Sequence, residues 1–212
     1  MNTDPPRTRF GAAAAAVARR DKVMGALMKR TGPFRLPRPG TDHFGALAES
    51  IFHQQLAGAA ARAIHSRFVA LFDGGPSPAA VLALTPRKLR SVGLSRGKVL
   101  SIRDLARKAA DGTVPLHRIG RLPDEEVITR LSVVRGIGRW TAEMFLIFQL
   151  RRLDVWPVDD YGVRQGYSIA YGLRGLLTPK QLYERGERFR PYRTVAAWYC
   201  WQAVREKRKA AP

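Results

Sequence analysis

Residues 131–150 read LSVVRGIGRWTAEMFLIFQL, and the fold is decided by how the apolar side chains fall in this stretch. Leu131, Val134 and Ile137 recur at helical intervals up to a glycine pair, Gly136 and Gly138, that brackets the last of them, and Ala142, Phe145, Leu146 and Phe148 do so after it. Gly136 and Gly138 allow a tight reversal between the two runs, because neither has a Cβ to obstruct the turn. The pattern predicts two helices joined by a hairpin. At the start of the second helix, backbone N–H groups and the positive end of the helix dipole make a seat for a phosphate, with Arg139 alongside. Two glycines one residue apart are weak evidence alone, and such turns are often only structural. The flanking helices and basic surroundings strengthen the anion reading. No strand precedes the glycines, which excludes a dinucleotide fingerprint.

Working outward, the rest of the chain is also helical in pattern. From His43, the residues Phe44, Leu47, Ile51, Leu56, Ile64, Phe68 and Leu71 predict one long amphipathic helix or a closely joined pair. Ser77-Pro78 and Thr85-Pro86 each read as a capping residue followed by proline in the first helical turn. A helix over residues 96–110 has Val99, Ile102, Leu105 and Ala109 on its apolar face, and another begins near Pro123 with Asp124, Glu125 and Glu126 at its positive end. Thr178-Pro179-Lys180-Gln181 fits a capping box, and Pro191 introduces a last helix with Val195, Trp198 and Trp201. Residues 21–30 place Val23, Leu27 and Met28 on one face. Alternating β patterns are scarce, so the expected architecture is all-α, with two helical lobes flanking an active-site cleft.

Bulk properties narrow the class of partner. The 212 residues include 37 Lys and Arg against 17 Asp and Glu, a formal net charge of +20. Such a field favours a polyanion, since each neutralised phosphate releases counterions. Charge alone leaves DNA, RNA and an acidic membrane surface open. One cysteine, Cys200, excludes an internal disulfide and a four-cysteine zinc or iron–sulfur site. Residues 1–19, with the alanine run 12–16, are expected as a flexible extension, a frayed or mobile helix rather than a secretory signal, and residues 206–212 as a basic, solvated tail. No segment approaches the roughly 20 apolar residues that span a bilayer, so no membrane partner is expected.

After the hairpin comes a second distinctive feature, Pro157-Val158-Asp159-Asp160-Tyr161. RGIGRWTAEMFLIF (135–148) and WPVDDYGVRQG (156–166), with IFHQQLAGAAA (51–61) and GLSRGKVLSIRDLA (93–106), resemble the helix–hairpin–helix DNA glycosylase superfamily. The resemblance is nearest to its bacterial 3-methyladenine DNA glycosylase II branch. It runs from about Arg20 to Arg205, implying a catalytic region over residues 20–205 built from two intertwined helical lobes. The small N-terminal β domain of longer relatives is expected to be absent.

The resemblance implies a function. Asp160 occupies the position of the family's essential aspartate, whose carboxylate stabilises the oxocarbenium-like sugar when an N-glycosidic bond breaks; a helix cap is its bland alternative. Asp159 is expected to cap a helix or support the turn. Bifunctional members resembling this hairpin carry a lysine nucleophile where this chain has Trp140, and an indole cannot form a Schiff base. Base removal without a lyase step is therefore implied. Gln55 matches the residue that fills the void left by an extruded base, with Gln54 beside it, although both also suit ordinary surface amides. Trp140 and Trp201 match pocket aromatics that stack on an electron-poor alkylated purine; Met144, one turn beyond Trp140, lines that pocket or fills the core. Gly136, Gly138 and Arg139 correspond to the phosphate grip. The carbonyls of Ser132, Val134 and Ile137 match those that hold a monovalent cation bridging hairpin and phosphate.

The implied substrate is double-stranded DNA with damaged bases such as 3-methyladenine or 7-methylguanine. A monomer suffices, with no organic cofactor or iron–sulfur cluster, in the cytoplasm or on the nucleoid of a bacterium. Deaminated or oxidised bases form an alternative lesion class. A noncatalytic damaged-DNA-binding module is a third reading.

Overall fold

The computed structural model describes residues 6–40, 42–54 and 58–210, and no strand occurs among them. The described α-helices are α1 (Pro6–Arg20), α2 (Lys22–Thr31), α3 (His43–His53), α4 (Gly58–Val69), α5 (Pro78–Ala83) and α6 (Pro86–Arg90). They continue with α7 (Arg96–Ala110), α8 (Asp124–Ser132), α9 (Arg139–Met144), α10 (Tyr161–Ala170), α11 (Pro179–Gly186) and α12 (Arg193–Ala210). The all-α expectation holds. Two compact units divide the chain: residues 1–37 with 151–212, and residues 38–150.

In the first unit, α12 packs against α10, α2 and α1. The α10 contact is close enough that a Cβ on Gly166 would lie 1.9 Å from the Cys200 carbonyl oxygen. Fully buried Thr194 ties the start of α12 to the preceding segment: its hydroxyl donates to the Arg152 carbonyl at 2.8 Å and accepts the Val155 N–H at 3.0 Å. Trp156 packs edge-on to Tyr167 and donates its indole N–H to the Leu182 carbonyl at 2.8 Å.

The ends of the chain refine two expectations. The helix around the alanine run is α1, residues 6–20, and it is packed rather than frayed, because Phe10, Ala13 and Val17 make a buried stripe at helical spacing and alanine favours the helix between them. The basic C-terminal residues are exposed as expected, but up to Ala210 they continue α12 rather than forming a separate tail. Cations there suit the negative end of the helix dipole. In α2 the buried residues are Met24 and Leu27, so the apolar face is rotated from the expected Val23 and Met28. Asp21 sets this start by accepting the Met24 N–H at 2.9 Å.

The second unit contains α3 to α9. The run from His43 is the closely joined pair, α3 and α4, with Leu47, Ile51, Phe52 and Phe68 fully buried. Ser77 and Thr85 cap α5 and α6, as Thr178 with Gln181 forms the capping box of α11 in the first unit. After α9 the chain continues through a π turn, Phe145–Gln149, in which Leu150 N–H donates to the Phe145 carbonyl at 3.0 Å. This wider turn brings Ile147 fully into the core and leaves Phe148 half-buried, a shift that a regular helical period does not foresee.

Candidate functional site

The hairpin lies between α8 and α9 in the second unit, and its two glycines differ in role. Gly136 has φ of +78°, where a side chain is strained, and a Cβ there would meet Ser101 Oγ at 2.9 Å. Gly138 is the N-cap of α9 in extended conformation, and a Cβ would point into open space. What Gly138 provides is therefore room above the backbone for a ligand rather than relief of strain. Leu131, Val134 and Ile137 are buried beneath the turn.

Arg139 follows the glycines, and its guanidinium is engaged by two carboxylates. Its donors reach Glu125 of α8 at 2.6 and 3.0 Å and Glu143 of α9 at 3.2 Å. Hydrogen bonding to Glu125 is the main reason the Arg139 pKa is raised, and the same contact lowers that of Glu125. Arg139 thus staples the two helices of the hairpin together. To meet a phosphate it must exchange at least part of this pairing.

Trp140, in the first turn of α9, is 46% exposed, while Met144, one turn later, is half-buried. Gln54, at the end of α3, donates its amide to the Gly136 carbonyl at 2.8 Å and approaches Thr141 Oγ1 at 3.5 Å. The structure therefore brings Gln54, Gly136, Gly138, Arg139 and Trp140 around one hairpin. Gln55 lies outside the described residues.

Among the three carbonyls expected to face a cation, that of Val134 accepts the Ile137 N–H at 3.0 Å and retains a second lone pair. Neutral carbonyl oxygens are hard donors of the kind an oxygen-seeking cation takes. Among the described residues no cluster of His, Cys, Asp or Glu is arranged to hold a metal.

Asp160 and Trp201 belong to the first unit, where they are paired. Asp160 is the N-cap of α10: its Oδ1 accepts the Val163 N–H at 2.7 Å and the Trp201 indole N–H at 2.9 Å. The carboxylate is nearly buried, whereas Asp159 is exposed. This corrects the expectation that Asp159 caps the helix, since the turn gives that place to Asp160. Gly162 makes the pairing possible, because a Cβ there would lie 3.0 Å from Trp201 Cδ1 and 3.1 Å from Asp160 Oδ1. Burial first, then the Asp160 charge, pushes the Cys200 thiol upward, so this cysteine is a packed neutral group.

Two features escaped the sequence reading. YGVRQG contains Gly162 and Gly166 one turn apart, a small-residue pattern that marks close helix approach. The polar residues Lys98, Ser101, Asp104 and Lys108 recur at helical spacing beside the apolar face of α7, a stripe easily taken for a solvated surface.

Comparison with known proteins places this geometry in context. The family model described as HhH-GPD superfamily base excision DNA repair protein matches residues 48–191. The chain is 36% identical over 187 residues to DNA-3-methyladenine glycosylase 1 of Schizosaccharomyces pombe, covering 86% of this chain and 82% of that protein. A solved complex of a Schizosaccharomyces pombe 3-methyladenine DNA glycosylase with abasic DNA aligns with a TM-score of 0.81 at 33% identity, over 90% of this chain and 95% of the other. The DNA-3-methyladenine glycosidase structure from Bacillus halodurans aligns with a TM-score of 0.82 at 31% identity, over 99% and 94%.

Proposed function

The chain belongs to the HhH-GPD superfamily of base excision DNA repair proteins, and from that membership we propose that it is a monofunctional DNA glycosylase releasing alkylated purines from double-stranded DNA. The observation that carries the proposal is the carboxylate of Asp160, nearly buried at the amino end of α10 and oriented by an indole N–H. Rupture of the N-glycosidic bond sends the bonding electrons to the departing base and leaves positive charge on the sugar. A fixed carboxylate stabilises that charge, water adds at C1′, and a free base and an abasic site result. A cationic purine such as 3-methyladenine or 7-methylguanine is already a good leaving group, which lessens the need for a protonating acid.

The remaining roles rest on the resemblance, each within its own unit. Gly136 and Gly138 admit a phosphate to the hairpin backbone, and Arg139 joins by partial exchange from Glu125. Gln54 leads into the insertion segment, where Gln55 fills the void left by the base. Trp140 offers an exposed aromatic face and Met144 a polarizable neighbour to an extruded purine. Trp201 is assigned an aromatic role toward the base from the first unit, while its N–H holds Asp160. The carbonyls of Ser132, Val134 and Ile137 would hold a monovalent cation, which when bound adds positive charge for a phosphate. No organic cofactor or iron–sulfur cluster enters this scheme, and a monomer is sufficient.

The bacterial glycosylase II branch remains the narrower assignment, supported by a 30% identical Escherichia coli relative over 59% of this chain; the relatives include fungal proteins as well. With that branch goes action in the cytoplasm or on the nucleoid of a bacterium. Among the described residues, no helix is long and apolar enough to cross a membrane.

The test is a base-release assay on duplexes carrying methylated, deaminated and oxidised bases, comparing wild type with Asp160→Asn. Wild type is expected to release the methylated purines, to leave abasic sites without strand cleavage, and to form no borohydride-trapped adduct. Release of a different lesion would keep the reaction and change the substrate. DNA binding without any release would identify a binding module instead.

A further inference from the structure

Helix α7 has two faces, and its apolar face, with Val99, Ile102 and Leu105, belongs to the core of its unit. A polar stripe flanking such a face is ordinarily a solvated surface. Here each member of the stripe meets the backbone of another element. Lys98 Nζ donates to the carbonyls of Ile51, Phe52 and Gln54 at 2.7, 2.8 and 2.9 Å. Ser101 Oγ lies beneath Gly136, Asp104 Oδ2 accepts the Arg135 N–H at 2.8 Å, and Lys108 Nζ donates to the Val133 carbonyl.

The Lys98 contacts have a clear physical purpose. Helix α3 ends at Gln54 with extended backbone, φ of −62° and ψ of 124°, rather than at a left-handed glycine. Its last carbonyls need donors from elsewhere, and an ammonium supplies three while meeting the negative end of the dipole. Half-burial lowers the pKa of Lys98, a desolvation cost that a solvent-facing lysine does not bear. Gln54, fixed at its backbone by Lys98, turns its amide onto the Gly136 carbonyl. One helix thus holds both the end of α3 and the turn of the hairpin.

We infer that Lys98 is a positioning residue for base extrusion, using the α7 stripe to hold the end of α3 and the hairpin turn in one register so that phosphate grip and entry of the insertion segment are coupled. The inference rests on the glycosylase reading. Its test compares single-turnover release of 7-methylguanine from two duplexes, one with the lesion paired to cytosine and one with it opposite an abasic analogue. The unpaired base needs less work to leave the stack.

Lys98→Met, which keeps the apolar stem, is expected to slow release from the paired duplex about tenfold and from the unpaired duplex by less than about threefold. A merely structural role would lower both rates together. If Lys98→Met fails to fold by circular dichroism, Gln54→Leu carries the same expected ratio. Equal losses on both duplexes, or no loss on either, overturn the inference while leaving the glycosylase reading intact. No release by wild type from either duplex overturns both.

Discussion

The indole N–H of Trp201 in α12 donates to Oδ1 of Asp160 at 2.9 Å, on the same oxygen that accepts the Val163 N–H and so starts α10. One carboxylate oxygen therefore begins a helix and anchors an aromatic side chain. A group held by two donors cannot swing with its rotamers, and transition-state charge is best met by groups that are already oriented.

This arrangement separates charge from structure at Asp160. Asparagine caps helices about as well as aspartate and also accepts from the indole. Asp160→Asn is therefore expected to change unfolding free energy by less than about 0.5 kcal/mol while lowering base release by about a hundredfold or more. Asp160→Ala removes the cap as well and should cost about 1–2 kcal/mol of stability. Urea unfolding beside a release assay checks both.

Trp201→Phe keeps the ring and removes the donor. The expected result is an about tenfold lower kcat, equivalent to about 1.4 kcal/mol in the barrier, with KM little changed. A rise in KM at constant kcat would show that the indole serves binding alone.

The contact between α10 and α12 leaves no room at Gly166, whose added Cβ would fall 1.9 Å from the Cys200 carbonyl oxygen and 2.4 Å from its carbon. Backbone has to move to admit it. Gly166→Ala is expected to destabilise by about 3 kcal/mol, an apparent fall in Tm of about 6–12 °C. It should also slow base release through displacement of the Asp160 and Trp201 pair. Calorimetry and kinetics on the same preparation test this.

Glu125 neutralises part of the charge that the hairpin offers to DNA. Its side chain is 72% exposed, so pairing with Arg139 contributes little to stability. Glu125→Gln is expected to tighten binding to undamaged duplex about threefold, roughly 0.6 kcal/mol, and to steepen its salt dependence. Unchanged affinity across a salt series would assign Arg139 wholly to the staple with Glu143.

Asp104 sets an acid limit on the hairpin. Burial raises its pKa, but the Arg135 N–H and the nearby Lys108 and Arg107 outweigh that and hold it below the ordinary aspartate value of 3.8. A depressed folded pKa contributes stability above the unfolded pKa and loses it as pH falls through the folded one. The stability difference between wild type and Asp104→Asn is therefore expected to be constant above about pH 5 and to shrink as pH drops below 3.8. Urea unfolding as a function of pH measures the difference.

Much of the architecture was legible because its signals are local. Ser77, Thr85 and Thr178 mark helix starts through their own side chains, and the apolar period around Gly136 and Gly138 marks the hairpin. The packing of α1 was missed for a related reason: an alanine run gives a helix but does not say what will cover it, and its burial depends on α2 and α12, the latter far along the chain. The face of α2 and the π turn after α9 escaped for want of the same long-range information.

From the sequence alone came the helical hairpin, the basic character and the acidic pair beside Pro157. These depend on residue type and short spacing. Only the tertiary structure decided which aspartate of that pair is held, that Arg139 is engaged by two carboxylates, and that the polar stripe of α7 faces backbone instead of water. The physical reason is that carbonyl and amide partners are common to every residue, so no side-chain pattern announces them until packing brings distant segments together.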